Sequence, residues 1–269
     1  MQWLVRDPDN RVNGRLAPKP QAASGVWIDV NRLSVWLTAG HVVNGIKQQL
    51  DHDMAFRFSF VDRDDTKDHS LRCVPFSPKL TPLFTSEHDQ LGLDIGGLVL
   101  RPLEREALLK GPCRPFFAKY LARQDEKFDL YAVYGSPEYA RTNEVRPTAT
   151  GGVVHTKVGC ALIPLERLRA RPAWRTPARR LHFRLLGDPA TSEWDAPTPY
   201  SVVGMSGGPI WGIRFDERGF QARLVGIQAS QSREAEELVL HVCPVRWFLR
   251  SVRARIEKLR LEQRSINAA

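Results

Sequence analysis

Short apolar runs that stop at glycine, proline or charged turns repeat along most of this chain, and that pattern limits its fold more than anything else. Ala22 to Val30, Leu33 to Leu37, Phe56 to Val61, Leu71 to Phe76 and Ile95 to Leu100 are such runs in the first half. Asp129 to Tyr134, Cys160 to Ile163, Leu181 to Leu186, Ile210 to Phe215, Gln221 to Ala229 and Leu238 to Val242 continue the series. Runs of about 4 to 8 residues bounded by turn signals read as strands. Asn31-Arg32 and Asp216-Glu217-Arg218-Gly219 supply hairpin turns, and Arg146 to Val158 reads as a bent hairpin. Pro102 to Lys110 and Trp247 to Gln263 suit helices, the second with Leu249, Val252, Ile256, Leu259 and Leu261 on one stripe, and a short helical turn is expected at His41. Many short strands with one terminal helix predict an all-β chain built of barrels. No internal repeat is evident. At 269 residues the chain is long enough to bury a real core.

Three places in this frame carry chemistry. In Gly204-Met205-Ser206-Gly207-Gly208-Pro209 a serine is flanked by glycines on both sides. Glycine admits φ > 0 and lets a substrate backbone approach, so amides there can turn toward one point beside a nucleophilic hydroxyl. The bland reading is a glycine-rich turn. The stretch also fits the G-x-S-x-G elbow of α/β-hydrolases, which needs a following helix and the order Ser, acid, His. Here Pro209 and the strand-like Ile210-Trp211-Gly212-Ile213 follow instead. Upstream, Leu37-Thr38-Ala39-Gly40-His41-Val42-Val43 puts a histidine at a strand end. Asp94 opens the apolar run Ile95 to Leu100, where a carboxylate can be held rigidly; Asp53 and Asp89 open no comparable run.

The order His41, Asp94, Ser206 resembles that of the trypsin/chymotrypsin family of serine proteases, over about residues 22 to 255. The resemblance, to a bacterial-type trypsin-like peptidase, implies two six-stranded antiparallel β-barrels with a cleft between them and a C-terminal α-helix. The expected division is an arm over 1–20, a first barrel over 21–112, a linker over 113–127, a second barrel over 128–245 and a basic helix and tail over 246–269. Ser206 would attack a peptide carbonyl of a protein or peptide substrate, His41 would act as base and then acid, and Asp94 would orient His41. The N–H groups of Gly204 and Ser206 would form the oxyanion hole. The specificity pocket would be lined by Tyr200 and Ser201, by Gln228, Ala229 and Ser230 onward to Gln231, and by the region Glu236 to His241. Trypsin's pocket aspartate falls here at about Tyr200, so a Lys/Arg preference is not implied; Glu236, Glu237, His241 and Gln228 leave the choice open. No cofactor and no metal are required. Trypsin-type zymogens pair a new N-terminus with an aspartate just before the serine; here that residue is Met205, so no activation by N-terminal processing is expected. Local packing or an activating partner protein would order the oxyanion hole instead.

Composition bounds the rest. No 18-residue apolar run is present, so no membrane span is expected. Met1 to Pro20 has no signal-peptide core, which leads to the expectation of a cytoplasmic protein. Cys73, Cys113, Cys160 and Cys243 lack metal-ligand spacing and are expected to be reduced, buried thiols, although four can also make two bridges. The net charge of +9 is concentrated at Arg167, Arg169, Arg171, Arg175, Arg179, Arg180 and Arg184, and in the tail after Arg250. Such charge can bind nucleic acid, but no reading motif accompanies it, so this is a minor reading. A catalytically silent binding scaffold is the other alternative. The family resemblance also suits a conditional effector, such as a protease of bacterial antiphage defence.

Overall fold

A computed structural model describes residues 2–12, 15–30, 33–51, 58–63, 71–88, 93–123, 126–137, 141–148, 151–158, 160–168, 180–186, 202, 204–217, 219–234, 237–250 and 254. The chain is mostly β. Its first half holds β1 (Gln2–Val12), β2 (Arg15–Ala22), β3 (Val26–Val30), β4 (Leu33–Thr38), α1 (Gly40–Asp51), β5 (Phe58–Arg63), β6 (Leu71–Phe76), β7 (Leu83–His88), β8 (Leu93–Val99), α2 (Pro102–Leu109) and the short β9 (Phe116–Phe117). The second holds β10 (Leu130–Gly135), β11 (Arg141–Thr148), β12 (Gly151–Val158), β13 (Ala161–Arg167), β14 (Leu181–Leu185), β15 (Pro209–Asp216), β16 (Gly219–Glu234) and β17 (Glu237–Pro244).

In the first half the strands form two sheets, ordered β2-β1-β5-β6 and β7-β8-β4-β3-β9. Their facing aromatics make one core: Phe60 stacks on Phe76 at 4.5 Å between centroids, and Trp36 meets Phe60 edge-on at 5.8 Å. Val42, Val43 and Ile46 of α1 are buried in the same cluster, so the apolar stripe of that helix fixes it against the sheets. The segment expected to be an arm is a hairpin, β1 with β2, joined to the half by Gln2 opposite Ser59 and Trp3 opposite Phe58. Residues Ala23 to Gly25, expected within a strand, instead separate β2 from β3.

The second half closes: β10-β13-β14-β17-β16-β15 is a six-stranded antiparallel barrel filled by Tyr131, Val133, Ile163, Leu165, Phe183, Met205, Ile210, Leu240 and Val242. Of the two closed barrels expected, the described residues form this one. β11 and β12 make a separate two-stranded hairpin. A third cluster joins the halves, with Val26, Leu37, Phe84 and Ile95 packed against Leu224, Ile227, Ala229, Cys243 and Phe248. Residues 245–250 are helical; the rest of the expected terminal helix, apart from Ala254, lies outside the described residues. Among the described residues no helix is long and apolar enough to cross a membrane. The cysteines depart from expectation: Cys243 is buried and in no disulfide, but Cys113 is half-buried and Cys160 is exposed.

Candidate functional site

His41 stands in the first turn of α1, directly after β4. Its neighbour Asp94 stands near the start of β8, which pairs with β4 through Thr38–Gly96 and Leu37–Gly97. Glycine at 96 is what lets the two approach. A Cβ there would sit 2.6 Å from Val43 Cγ2 and 3.0 Å from the Ala39 carbonyl, so any side chain would lift α1 off the sheet. With that clearance, the His41 backbone N–H donates to Asp94 Oδ1 at 2.9 Å and His41 Nδ1 bonds Asp94 Oδ2 at 2.8 Å. One carboxylate thus fixes both the backbone and the ring. The imidazole is about half exposed, with 51% of its side chain accessible, whereas the carboxylate shows 14%. A ring held through Nδ1 leaves Nε2 as the nitrogen that can exchange a proton with a reactant.

Ser206 arrives from the other half. Met205 is fully buried in the barrel interior, its N–H donating to the Val202 carbonyl at 2.9 Å and its carbonyl accepting from Gly208 at 2.7 Å. This closes a tight loop in which Gly204 and Gly207 take φ of +86° and +85°. Gly207 is seated directly on the end of β4, where a Cβ would fall 2.0 Å from Thr38 Oγ1 and 2.4 Å from the Ser24 carbonyl. Thr38 itself donates to that carbonyl at 2.9 Å. Ser206 is therefore docked beside the segment that leads into His41. Among the described residues Ser206 makes no hydrogen bond, so the His41–Ser206 contact itself is not formed and the Ser206 N–H has no acceptor.

Strand β16 is stitched to the same loop. Gly207 N–H donates to the Gln228 carbonyl and Gln228 N–H to the Gly208 carbonyl, both at 2.9 Å. A register shift between Gln228 and Ser230 then turns the side chains. Ala229 joins the core between the halves. Gln228 lies opposite Val242 and Gln231 opposite Leu240, on the barrel's inner face, and the Oε1 atoms of both glutamines are buried with no hydrogen-bond partner. Ser230 lies opposite His241 on the other face, where its hydroxyl accepts from Arg180 at 2.9 Å. Tyr200, Ser201 and Glu236 lie outside the described residues. Glu237 is occupied by Arg184 at 3.0 Å, at the far end of β17 from Cys243.

Several contacts around the site gave no sequence signal of their own. Asp94 N–H donates to Cys243 Sγ at 3.3 Å, tying β8 to the barrel. Burial pushes that thiol up to about 11. His182 and His241 meet through their Nδ1 atoms at 3.1 Å, and His241 Nε2 bonds Ser232 Oγ at 2.7 Å. Burial first, then the charges of His182 and Arg180, holds the His241 imidazole down to about 4. This buried pair is structural wall behind Ser230 and is not part of the His41 cluster. Among the described residues no group of His, Cys, Asp and Glu side chains is placed to hold a metal. Compared with known families and curated proteins, this chain matches neither a family model nor a curated protein.

Proposed function

We propose that this protein is a serine endopeptidase of chymotrypsin-like architecture, the two N-terminal sheets acting as the partner of the closed barrel. Ser206 is the nucleophile, His41 the general base and then acid, and Asp94 the group that holds the His41 tautomer and stabilises its cation. The carrying observation is the double clasp of Asp94 on the His41 N–H and ring, made beside a glycine-seated serine from the other half. The bond to the His41 N–H also satisfies an orphan donor at the start of α1, whereas the second bond, to Nδ1 of a half-exposed ring, is not needed to cap the helix. On this reading Gly204 and Ser206 N–H groups receive the developing oxyanion. Gln228, whose strand is bonded to the serine loop and whose side-chain acceptor is buried without a partner, supports a substrate side chain that donates hydrogen bonds.

A fluorophosphonate probe tests the reading, because it reacts only with an activated serine. Labelling of the wild type that is abolished in Ser206→Ala and strongly reduced in His41→Ala supports it. A folded wild type that takes no label leaves the protein as a binding scaffold.

A further inference from the structure

A cavity of about 40 Å³ opens on the second barrel where the ends of β13 and β17, the start of β14 and the first helical residues after β17 converge. None of its lining residues belongs to the candidate site around Ser206. Arg123, Arg167 and Arg246 line it, with Phe128 and Tyr131 as apolar wall and Glu126 as the only carboxylate. Glu126 is turned to other work: it accepts from the Arg123 backbone N–H at 3.0 Å and stands 3.8 Å from Arg214. Arg246 Nη1 is buried and has no hydrogen-bond partner. Arg123 and Arg167 make no ion pair among the described residues. Leaving a charged donor dry and unpaired is costly unless an acceptor occupies the space.

We propose that this cavity binds a phosphate-type oxyanion. Three arginines line it, from three separate chain segments. A planar carboxylate is satisfied by one forked arginine, whereas a tetrahedral phosphoryl group offers acceptors in several directions. The volume has room for one such group. β13 ends at Arg167 and β14 begins at Leu181, on either side of residues 169–179, and the basic tail follows the helix that starts beside Arg246. Free phosphate and a phosphate carried on a chain share the chemistry that the cavity reads.

Isothermal titration of the full-length protein with inorganic phosphate, at low ionic strength, provides the test. Saturable binding by the wild type is expected, weakened at least about tenfold in Arg246→Gln and in Arg167→Gln. Arg233→Gln removes the same charge from a residue that does not line the cavity, and should bind as the wild type does. Arg167 is exposed, so its variant carries the test if Arg246→Gln does not fold. A second arm uses a uridine oligonucleotide. Tighter, steeply salt-dependent binding that is lost in the same variants identifies a phosphodiester as the source, and no gain over phosphate identifies a free or terminal phosphate. Absence of phosphate binding in the wild type, or equal binding in the Arg167 and Arg246 variants, overturns the proposal. None of these outcomes depends on Ser206 being reactive.

Discussion

Replacing Gly207 by alanine should damage both stability and the site, and the structure sets the size of the effect. The residue has φ +85°, a conformation that costs an L side chain about 1 kcal/mol or more. The new methyl would lie 2.0 Å from Thr38 Oγ1 and 2.4 Å from the Ser24 carbonyl. Thr38 can rotate away only by giving up its buried bond to that carbonyl, and the carbonyl is backbone and cannot rotate. Overpacking of this kind costs about 1–3 kcal/mol, and the lost bond about 1 kcal/mol or more. The total is about 3–5 kcal/mol, a large part of the stability of an ordinary domain. Gly219→Ala is the matched control: its φ is +122°, but nothing lies within 4 Å of the added Cβ, so it carries the backbone strain alone. Urea unfolding of the two variants measures the difference. Thr38→Ala in the Gly207→Ala background should recover part of the loss, because the closest contact, with Thr38 Oγ1, disappears. If Gly207→Ala is no less stable than Gly219→Ala, the close docking of the serine loop on β4 is wrong.

Four further outcomes are expected. On the proposed reading, Ser206→Ala, His41→Ala and Asp94→Asn each lower peptide turnover by several orders of magnitude without unfolding the protein, and a folded Asp94→Asn that cleaves normally would remove Asp94 from the mechanism. Profiling with peptide libraries should favour residues with donor side chains before the cut, a preference that Gln228→Leu abolishes; unchanged selectivity would show that Gln228 does not read the substrate. Because His241 is neutral in the fold down to about 4 while an unfolded imidazole protonates near ~6.5, stability should fall as pH drops through that interval and be insensitive above it. Allowing for solvent screening, the loss is about 1–2 kcal/mol, and His241→Gln should flatten the curve; equal pH slopes in both proteins would refute this. Iodoacetamide at mild alkaline pH should modify Cys160 readily and Cys243 only after denaturation, as peptide mapping would show; rapid labelling of native Cys243 would contradict its burial.

The strands that the sequence made plain are those that bury one face or both. Leu33 to Leu37 and Ile210 to Phe215 read directly as β4 and β15 because the core selects their apolar residues. Two edge strands were among those the sequence did not reveal. β2 lies at one edge of its sheet and carries Pro18 and Pro20, while β7 lies at the edge of the other, just after Pro82. An edge strand tolerates proline and needs no strict alternation, so neither stretch shows a period of two. The candidate site divides in the same way. His41, Asp94 and Ser206 each sit at the end of a recognisable element, so residue type and position single them out. The Gly207 seat on Thr38, the Cys243 bond to Asp94 and the His182–His241 pair depend on register between strands far apart in the chain. Sequence patterning carries no information about that register.

The contacts that bring the serine loop to the histidine and aspartate have one partner before residue 100 and the other after residue 200. Gly207 rests on Thr38 and Ser24, and Cys243 holds the Asp94 amide. The site is therefore an interface between two bodies that happen to share a backbone. During synthesis the imidazole and its carboxylate leave the ribosome well before the serine, and the barrel that carries Met205 can close only after β17 has been made. A nascent or truncated chain ending before Gly204 holds two of the three groups and has no nucleophile to activate. On the proposed reading, such a chain is inert by construction, and a cell making this protease needs no inhibitor until translation has finished.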